Sequence, residues 1–289
     1  MAEEAEGASM RRCATCLGPR VHRRLFEKSG FPIVACAECG HGSTVVPPDF
    51  DPGSIYTGSY FEGGQADGYF EYAASEPVLR GEFRRALRHL QRWAPQEGRL
   101  LELGCAYGFF LSEATRAGYD CVGIELSEDA ARRGREAGLD IRSDPHLPSA
   151  LEGEEPFDAA VLLDTIEHVE DPANTVGQIR DALAPGGALL VTTGDFASWP
   201  SRLFGSRWRL MTPPQHLSFF TRASLIQLIE NAGFEVLSAD RGWKLVPLGL
   251  ILFQLRRTGL PVPRLPAASR LGLPIPLFDI ARIVARRKP

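Results

Sequence analysis

The sequence predicts an α/β protein: a doubly wound, mostly parallel sheet with helices on both faces, behind a small cysteine-stapled module. Three observations predict it. Strand-like and helix-like apolar segments alternate from Arg99 to Ala239, the pattern of parallel strands joined by crossover helices. A glycine-bearing turn, Gly104-Cys105-Ala106-Tyr107-Gly108, follows the first of those strands, where such sheets let a ligand approach the backbone. Two C-x2-C pairs, Cys13-Ala14-Thr15-Cys16 and Cys36-Ala37-Glu38-Cys39, stand in front of the alternation.

Those two pairs have the spacing of four-thiolate zinc sites, because thiols three positions apart can grip one ion from a tight turn. Gly18 and Gly40 stand where such turns call for positive φ. A thioredoxin-type redox pair would need a βαβ context that this region lacks. Residues 11–46 therefore read as a zinc-ribbon module after a disordered tail over 1–10, with zinc held by Cys13, Cys16, Cys36 and Cys39. Arg11, Arg12, Arg20, Arg23, Arg24 and Lys28 give the module a basic patch, either a solvated face or a contact for RNA or an anionic substrate. Residues 47–75 form a Pro/Gly-interrupted connector carrying Tyr56, Tyr60, Phe61, Tyr69 and Phe70. So many aromatics suit either packing between modules or a lid over a ligand site.

Residues 76–289 hold the main domain. Val78, Leu79, Phe83, Leu87 and Leu90 follow helical spacing over Glu76–Trp93. Strands are expected at Arg99–Leu103, Tyr119–Glu125, Phe157–Leu163, Ala188–Thr193, Phe234–Ala239 and Phe278–Ala285. Helices are expected at Tyr107–Ala117, Glu128–Ala137, Ala173–Leu183 and Thr221–Asn231, the last with Thr221 as its N-cap. A hydrophobic insert spans about 242–276, with its apolar run at Trp243–Leu255. That run is too short to span a bilayer, and Pro247 and Gly249 interrupt it. It could line a substrate pocket, pack in the core or a homodimer interface, or touch a membrane surface weakly.

The 289 residues carry a net charge of −4, which argues against a general polyanion binder and so against a nucleic-acid partner. The first residues are acidic and small, with no apolar signal segment, and reduced zinc thiolates suit the cytoplasm. Cys105 and Cys121, in apolar contexts, read as buried thiols.

The turn also sets up a cofactor site. Glu125 ends the next strand, and a carboxylate there can accept the ribose hydroxyls of an adenosine moiety. The glycine pattern departs from G-x-G-x-x-G and suits a cofactor without a pyrophosphate. Here Glu102-Leu103-Gly104-Cys105-Ala106-Tyr107-Gly108 resembles the E/D-x-G-x-G-x-G motif of class I S-adenosylmethionine (SAM) methyltransferases, with Ala106 in place of the middle glycine. The resemblance implies a Rossmann-like, seven-stranded sheet and SAM as cofactor. It implies Glu102 near the methionine amino end, Gly104 and Gly108 along the methionine portion, Glu125 at the ribose, and Cys105 and Leu126 among the cofactor-binding residues. It also implies Asp144 at the adenine N6 and Asp164 at the cofactor, although Asp144-Pro145 reads equally as a turn leading into a helix. Phe157-Asp158 through Glu167-His168-Val169 resembles the fourth-strand motif of small-molecule methyltransferases. Ala184-Pro185-Gly186-Gly187 resembles the turn before their fifth strand. Gln215-His216-Leu217-Ser218-Phe219-Phe220, the CxxC ribbon and Tyr56 with Tyr60-Phe61 are similar to bacterial methyltransferases of polysaccharide and antibiotic pathways.

A hydroxyl or C–H acceptor must lose a proton around the transition state, so a base is expected. His168, leaving the fourth strand, is the first candidate, with Glu167 orienting it or facing the substrate. His216 is the second; both also read as structural histidines. Trp199, Arg207 and Trp208 suit packing or the acceptor pocket. The expected function is methyl transfer from SAM to a small or glycan-like acceptor in bacterial specialised-metabolite or surface-polysaccharide biosynthesis. An RNA methyltransferase docking through the basic ribbon is the alternative enzyme, although the chain lacks an Asn-Pro-Pro-Tyr or Asp-Pro-Pro-Tyr motif. A binding protein with a degenerate cofactor fold is the non-catalytic alternative, and the intact Glu102, Gly104, Gly108 and Glu125 set weighs against it.

Overall fold

The structure is a computed structural model that describes residues 8–55, 72–144, 146–242, 244–257, 261–263, 265–276 and 278–289. The aromatic connector residues Tyr56, Tyr60, Phe61, Tyr69 and Phe70 lie outside the described residues. Residues 8–10, expected in the disordered tail, instead open a strand.

In chain order, the N-terminal module contains β1 (Ala8–Cys13), β2 (Gly18–Lys28), β3 (Phe31–Cys36) and β4 (Gly42–Thr44). Ser29 and Gly30, at φ 52° and 82°, make the two-residue turn between β2 and β3. Leu17 at φ 56°, not the expected Gly18, takes the left-handed position after the first cysteine pair, while Gly40 at φ 72° takes the second. Gly18 is already in β2 and paired to Cys13, so the turn bends one residue earlier.

Next come α1 (Glu76–Leu90), β5 (Gly98–Leu103), α2 (Phe109–Arg116), β6 (Tyr119–Ile124) and α3 (Glu128–Glu136). They are followed by β7 (Asp140–Arg142), α4 (Leu147–Ala150), β8 (Phe157–Leu163), α5 (Pro172–Ala182) and β9 (Leu183–Gly194). The chain continues through α6 (Trp199–Phe204), β10 (Ser218–Phe219), α7 (Arg222–Asn231) and β11 (Phe234–Arg241). It closes with β12 (Lys244–Pro247), α8 (Leu248–Arg257), β13 (Gly272–Ile275) and β14 (Ile280–Arg287). Helix starts follow their caps. Ser127 and Asp171 accept backbone N–H bonds at the N-termini of α3 and α5, and Thr221 forms a capping box with Ser224 on α7. The strands β7 and β10 gave no pattern in the sequence: at three and two residues they are too short to show a period.

The large sheet has seven strands in the order β11-β14-β9-β8-β5-β6-β7. It is mostly parallel, with β14 antiparallel to both β9 and β11.

The chain divides into two compact units. One comprises residues 1–52, 160–241 and 278–289. It contains a second sheet, antiparallel throughout, in the order β1-β2-β3-β4-β10. The cysteine module is thus completed by β10, a strand distant from it in sequence. Ile33, Trp208, Met211 and Phe219 form the shared core, with Phe26, Phe196 and Leu210 packed against it. Each fully buried side chain of this size contributes roughly 1.5–3 kcal/mol. Trp208 resolves to a packing role: its indole N–H donates to buried Asp279 at 2.8 Å, and Arg209 donates to the same carboxylate at 2.8 and 3.1 Å. Trp199, by contrast, is exposed. Trp208→Phe is expected to cost about 1.5–3 kcal/mol, the range for a hydrogen bond to a charged group. Denaturant unfolding would measure it, and an unchanged midpoint would refute the assignment.

The other unit comprises residues 53–159 and 242–277. Tyr72, Ala106, Tyr107, Phe109 and Ala130 form one of its clusters, with Ile55, Leu79 and Phe83 packed on it. The hydrophobic insert is not one apolar run but a strand, a helix and a returning strand, β12 pairing with β13. It packs on α1. The Leu245 N–H donates to Glu82 at 2.9 Å, and a Cβ on Gly272 would come within 2.9 Å of Val78. Leu265, Leu271 and Leu273 of the insert remain exposed. No helix among the described residues is long and apolar enough to cross a membrane.

Candidate active site

In the second unit, the turn after β5 is a cradle of left-handed residues. Gly104, Ala106 and Gly108 take φ of 74°, 49° and 73°. Ala106 keeps the conformation of the glycine it replaces, at a cost on the order of 1–2 kcal/mol for an L-residue. Gly108 cannot be replaced so easily, since a Cβ there would sit 2.4 Å from Leu139 Cδ1. Cys105 contributes only its backbone to the turn. Its side chain is buried against β6, where a Cβ on Gly123 would meet its Sγ at 2.7 Å, and burial raises its pKa well above the ordinary value. Cys121, the other expected buried thiol, is only partly buried, and burial raises its pKa to about 12.

Glu125 locks this turn to the end of β6. Its two carboxylate oxygens accept the N–H groups of Ala106 and Ser127, each at 2.8 Å. A carboxylate has about four lone-pair positions, so two remain for hydroxyl donors. Burial raises the Glu125 pKa, and the Ser127 and Ala106 N–H bonds oppose it. Glu102, on β5, is buried, and its Oε2 has no hydrogen-bond partner among the described residues. Burial first, and the Glu125 charge second, push its pKa well above the usual carboxylate range. A cation beside it would offset that burial and return the carboxylate to its charged form. Leu126 is exposed next to Glu125, an apolar surface free to cover a ring.

Asp144 follows β7, but its carboxylate turns the chain into α4. One oxygen accepts the His146 N–H at 2.8 Å, and the other accepts the Ser149 hydroxyl, which lowers its pKa. The structure therefore brings out the turn-forming role that the sequence allowed.

The first unit holds Asp164 and the histidines. Asp164 leaves β8 at φ 54°, its N–H donating to the Thr192 carbonyl at 2.9 Å and its Oδ1 accepting the Thr192 hydroxyl at 3.1 Å. Glu167, His168 and His216 come together, their ligand atoms within 4.8 Å of one another. The two imidazoles meet edge to face with centroids 4.7 Å apart. His168 Nδ1 lies 2.9 Å from the Gln215 carbonyl oxygen. A carbonyl only accepts, so Nδ1 carries the hydrogen and Nε2 carries the lone pair. Burial lowers the His168 pKa, with the Gln215 bond and the Asp164 charge opposing. Burial, and then His168 itself, hold His216 well below its ordinary value. Both rings are therefore neutral at neutral pH, and the trio could serve as a base or hold a divalent cation. Sequence reasoning missed Gln215 and Thr192 as partners here, because each acts through contacts made by folding.

Cys13, Cys16, Cys36 and Cys39 form the second group that could hold a metal, with all four sulfurs within 4.8 Å. None is in a disulfide. Cys13 and Cys39 lie 3.6 Å apart, and the hydrogen bond between them draws Cys13 down to about 4 and pushes Cys39 up. Four thiolates close a tetrahedral zinc site and leave no open position. In the basic patch, Arg20 pairs with Glu38 at 2.7 Å and Arg24 with Glu27 at 2.9 Å.

Residues 78–239, more than half of the chain, match the methyltransferase-domain family. The chain belongs to the SAM-dependent methyltransferases. The methyltransferase is 36% identical over 106 residues to a ubiquinone biosynthesis O-methyltransferase of Caulobacter sp. (strain K31), covering 34% of this chain and 42% of that one. A namesake from Ruegeria pomeroyi is 29% identical over 168 residues, covering 54% and 67%. The match thus spans under half of the Caulobacter relative. Among solved structures, a SAM-dependent methyltransferase from Thermotoga maritima superposes with TM-score 0.51 at 22% identity, covering 75% of this chain and 95% of that one. Magnesium protoporphyrin IX methyltransferase from Synechocystis, with bound SAH, superposes with TM-score 0.52 at 12% identity, covering 79% and 91%. These likenesses show the fold. The residues of the cradle are compatible with that cofactor: buried Glu102 Oε2 has no hydrogen-bond partner among the described residues, and Glu125 has acceptor positions beyond Ala106 and Ser127.

Proposed function

We propose that the enzyme methylates a hydroxyl oxygen of a small or glycan-like acceptor in bacterial specialised-metabolite or surface-polysaccharide biosynthesis. His168 takes the acceptor's proton. The observation that carries this reading is the Gln215 carbonyl on His168 Nδ1, which leaves a neutral imidazole with its basic nitrogen at Nε2. The O-methyltransferase names of the sequence relatives support the oxygen acceptor.

SAM supplies a methyl group on a good leaving group, so the protein mainly positions, desolvates and moves a proton. Glu102 is assigned to the cofactor's ammonium and Glu125 to its ribose hydroxyls. Gly104, Cys105 and Gly108 supply the backbone against which the cofactor lies, and Leu126 a cover beside it. Asp144 and Asp164 remain assigned to the cofactor, Asp144 through whatever acceptor capacity its turn leaves. Glu167 and His216 hold and surround His168. Zinc on the four cysteines is structural. The RNA reading is less favoured, because Arg20 and Arg24 are already paired with carboxylates.

Calorimetry with SAH and turnover on a panel of sugar nucleotides and phenols test this reading. No SAH binding, or turnover confined to RNA, would overturn it. Glu125→Ala is expected to weaken SAH binding about 10- to 100-fold, the equivalent of losing one charge-assisted hydrogen bond and a turn-locking acceptor. Affinity unchanged in that variant would move the ribose contact elsewhere.

A further inference from the structure

The five-stranded sheet joins the cysteine module to the histidine pair within one unit. β4 pairs with β10 through Ser43↔Ser218 and Gly42↔Phe219. Just beyond, the Thr44 hydroxyl donates to the His216 carbonyl at 2.6 Å, and the Thr44 N–H donates to the Leu217 carbonyl at 2.9 Å. From the other side, the Leu217 and Ser218 N–H groups donate to the Glu167 carbonyl at 2.9 and 3.0 Å. The segment that presents the Gln215 carbonyl is therefore clamped between the ribbon and the residue preceding His168. Thr44 is buried and 172 positions from His216, so this bond exists only because the sheet forms. The cysteines sit at the ends of the same strands, β1 closing on Cys13 and β3 on Cys36.

We propose that the cysteine ribbon is a positioning element for the catalytic imidazole: Thr44 fixes the Gln215–His216 backbone, and that backbone holds His168 in the tautomer with its lone pair on Nε2. Thr44 touches no reacting atom. It acts through Gln215, and the ribbon metal acts through Thr44. The role rests on the reading that His168 accepts the acceptor's proton, but the effect on the ring's tautomer does not.

The test compares Thr44→Val and Thr44→Ser in the zinc-loaded full chain, using ¹⁵N-histidine spectra, SAH calorimetry and steady-state kinetics. Thr44→Val keeps the shape and removes the hydroxyl. It is expected to move the His168 nitrogen shifts from a single Nδ1–H tautomer toward a mixture and to lower kcat about ten-fold. SAH affinity and acceptor KM stay within about two-fold, because the hydroxyl contacts neither ligand. Thr44→Ser restores both the tautomer and kcat. A Thr44→Val enzyme with wild-type histidine spectra overturns the proposal, and so does a Thr44→Ser enzyme that behaves like it. If Thr44→Val fails to fold, removing zinc from the wild-type chain is read by the same spectra, and an unmoved His168 signal is again fatal. Full turnover in His168→Ala would instead sink the base assignment while leaving the tautomer response as a separate result.

Discussion

His168→Ala is expected to lower turnover about 100-fold or more, the range for losing a general base, while SAH affinity stays at the wild-type value. That separation follows from where the residues lie. The cradle formed by Glu102, Gly104, Ala106, Gly108 and Glu125 is built within residues 53–159, whereas His168 belongs to the other unit. A 100-fold loss corresponds to about 2.7 kcal/mol of transition-state stabilisation. The wild-type pH profile carries the same signature. Burial lowers the His168 pKa below the ordinary imidazole value of about 6.5, so the neutral, proton-accepting form predominates at and above neutrality. Turnover should rise with pH through an acid limb below 6.5 and then level, and His168→Ala should lose that limb. Wild-type turnover in the variant, or an unchanged acid limb, would give the proton to another group.

Stripping zinc from the ribbon is expected to abolish turnover while leaving most SAH affinity intact. Metal binding at four thiolates is folding energy, on the order of 10–16 kcal/mol for small zinc modules at neutral pH. Without it, β1–β4 lose the closure at Cys13, Cys16, Cys36 and Cys39, and β10 loses its partner strand. Gln215 and His216, which precede β10, then lose the Thr44 clamp. Chelation followed by calorimetry and kinetics would show this, with activity returning on zinc addition. Equal loss of SAH affinity and turnover would mean that the metal supports the whole chain rather than the histidine segment.

Sequence patterns exposed the parts that are local. The strand–helix alternation placed β5, β6, β8 and β11 to within two residues at each end, because the period of apolar residues directly reports which face is buried. The cysteine spacing anticipated the sulfur cluster, since ligand pairs three apart are already near each other along the chain. Glu125 was legible from its position at the end of a strand, and the structure adds its grip on Ala106 and Ser127. Boundaries slipped where turns decide them. Leu17 rather than Gly18 took the left-handed position, and the final strand began at Ile280 rather than Phe278. Asp144 was ambiguous in the sequence because a carboxylate before Pro145 suits a cofactor or a helix start equally; in the structure its carboxylate accepts from His146 and Ser149 at the helix start.

By itself, then, the sequence determined the fold class, the glycine-bearing turn after β5, the cluster of four cysteines and the presence of a Glu-His pair after the fourth strand. Each depends on residues close together along the chain, where propensity, periodicity and spacing act directly. Only the tertiary structure decided what the cysteine module adjoins. The aromatic connector, which the sequence suits to packing between modules or to a lid, lies outside the described residues. Among the described residues the ribbon takes β10 as its fifth strand. It thereby joins Thr44 to His216 across 172 positions. Such a bond leaves no trace in local pattern, because any hydroxyl and any backbone carbonyl could form it. Which two do so is settled by the packing of Ile33, Trp208, Met211 and Phe219 into one core.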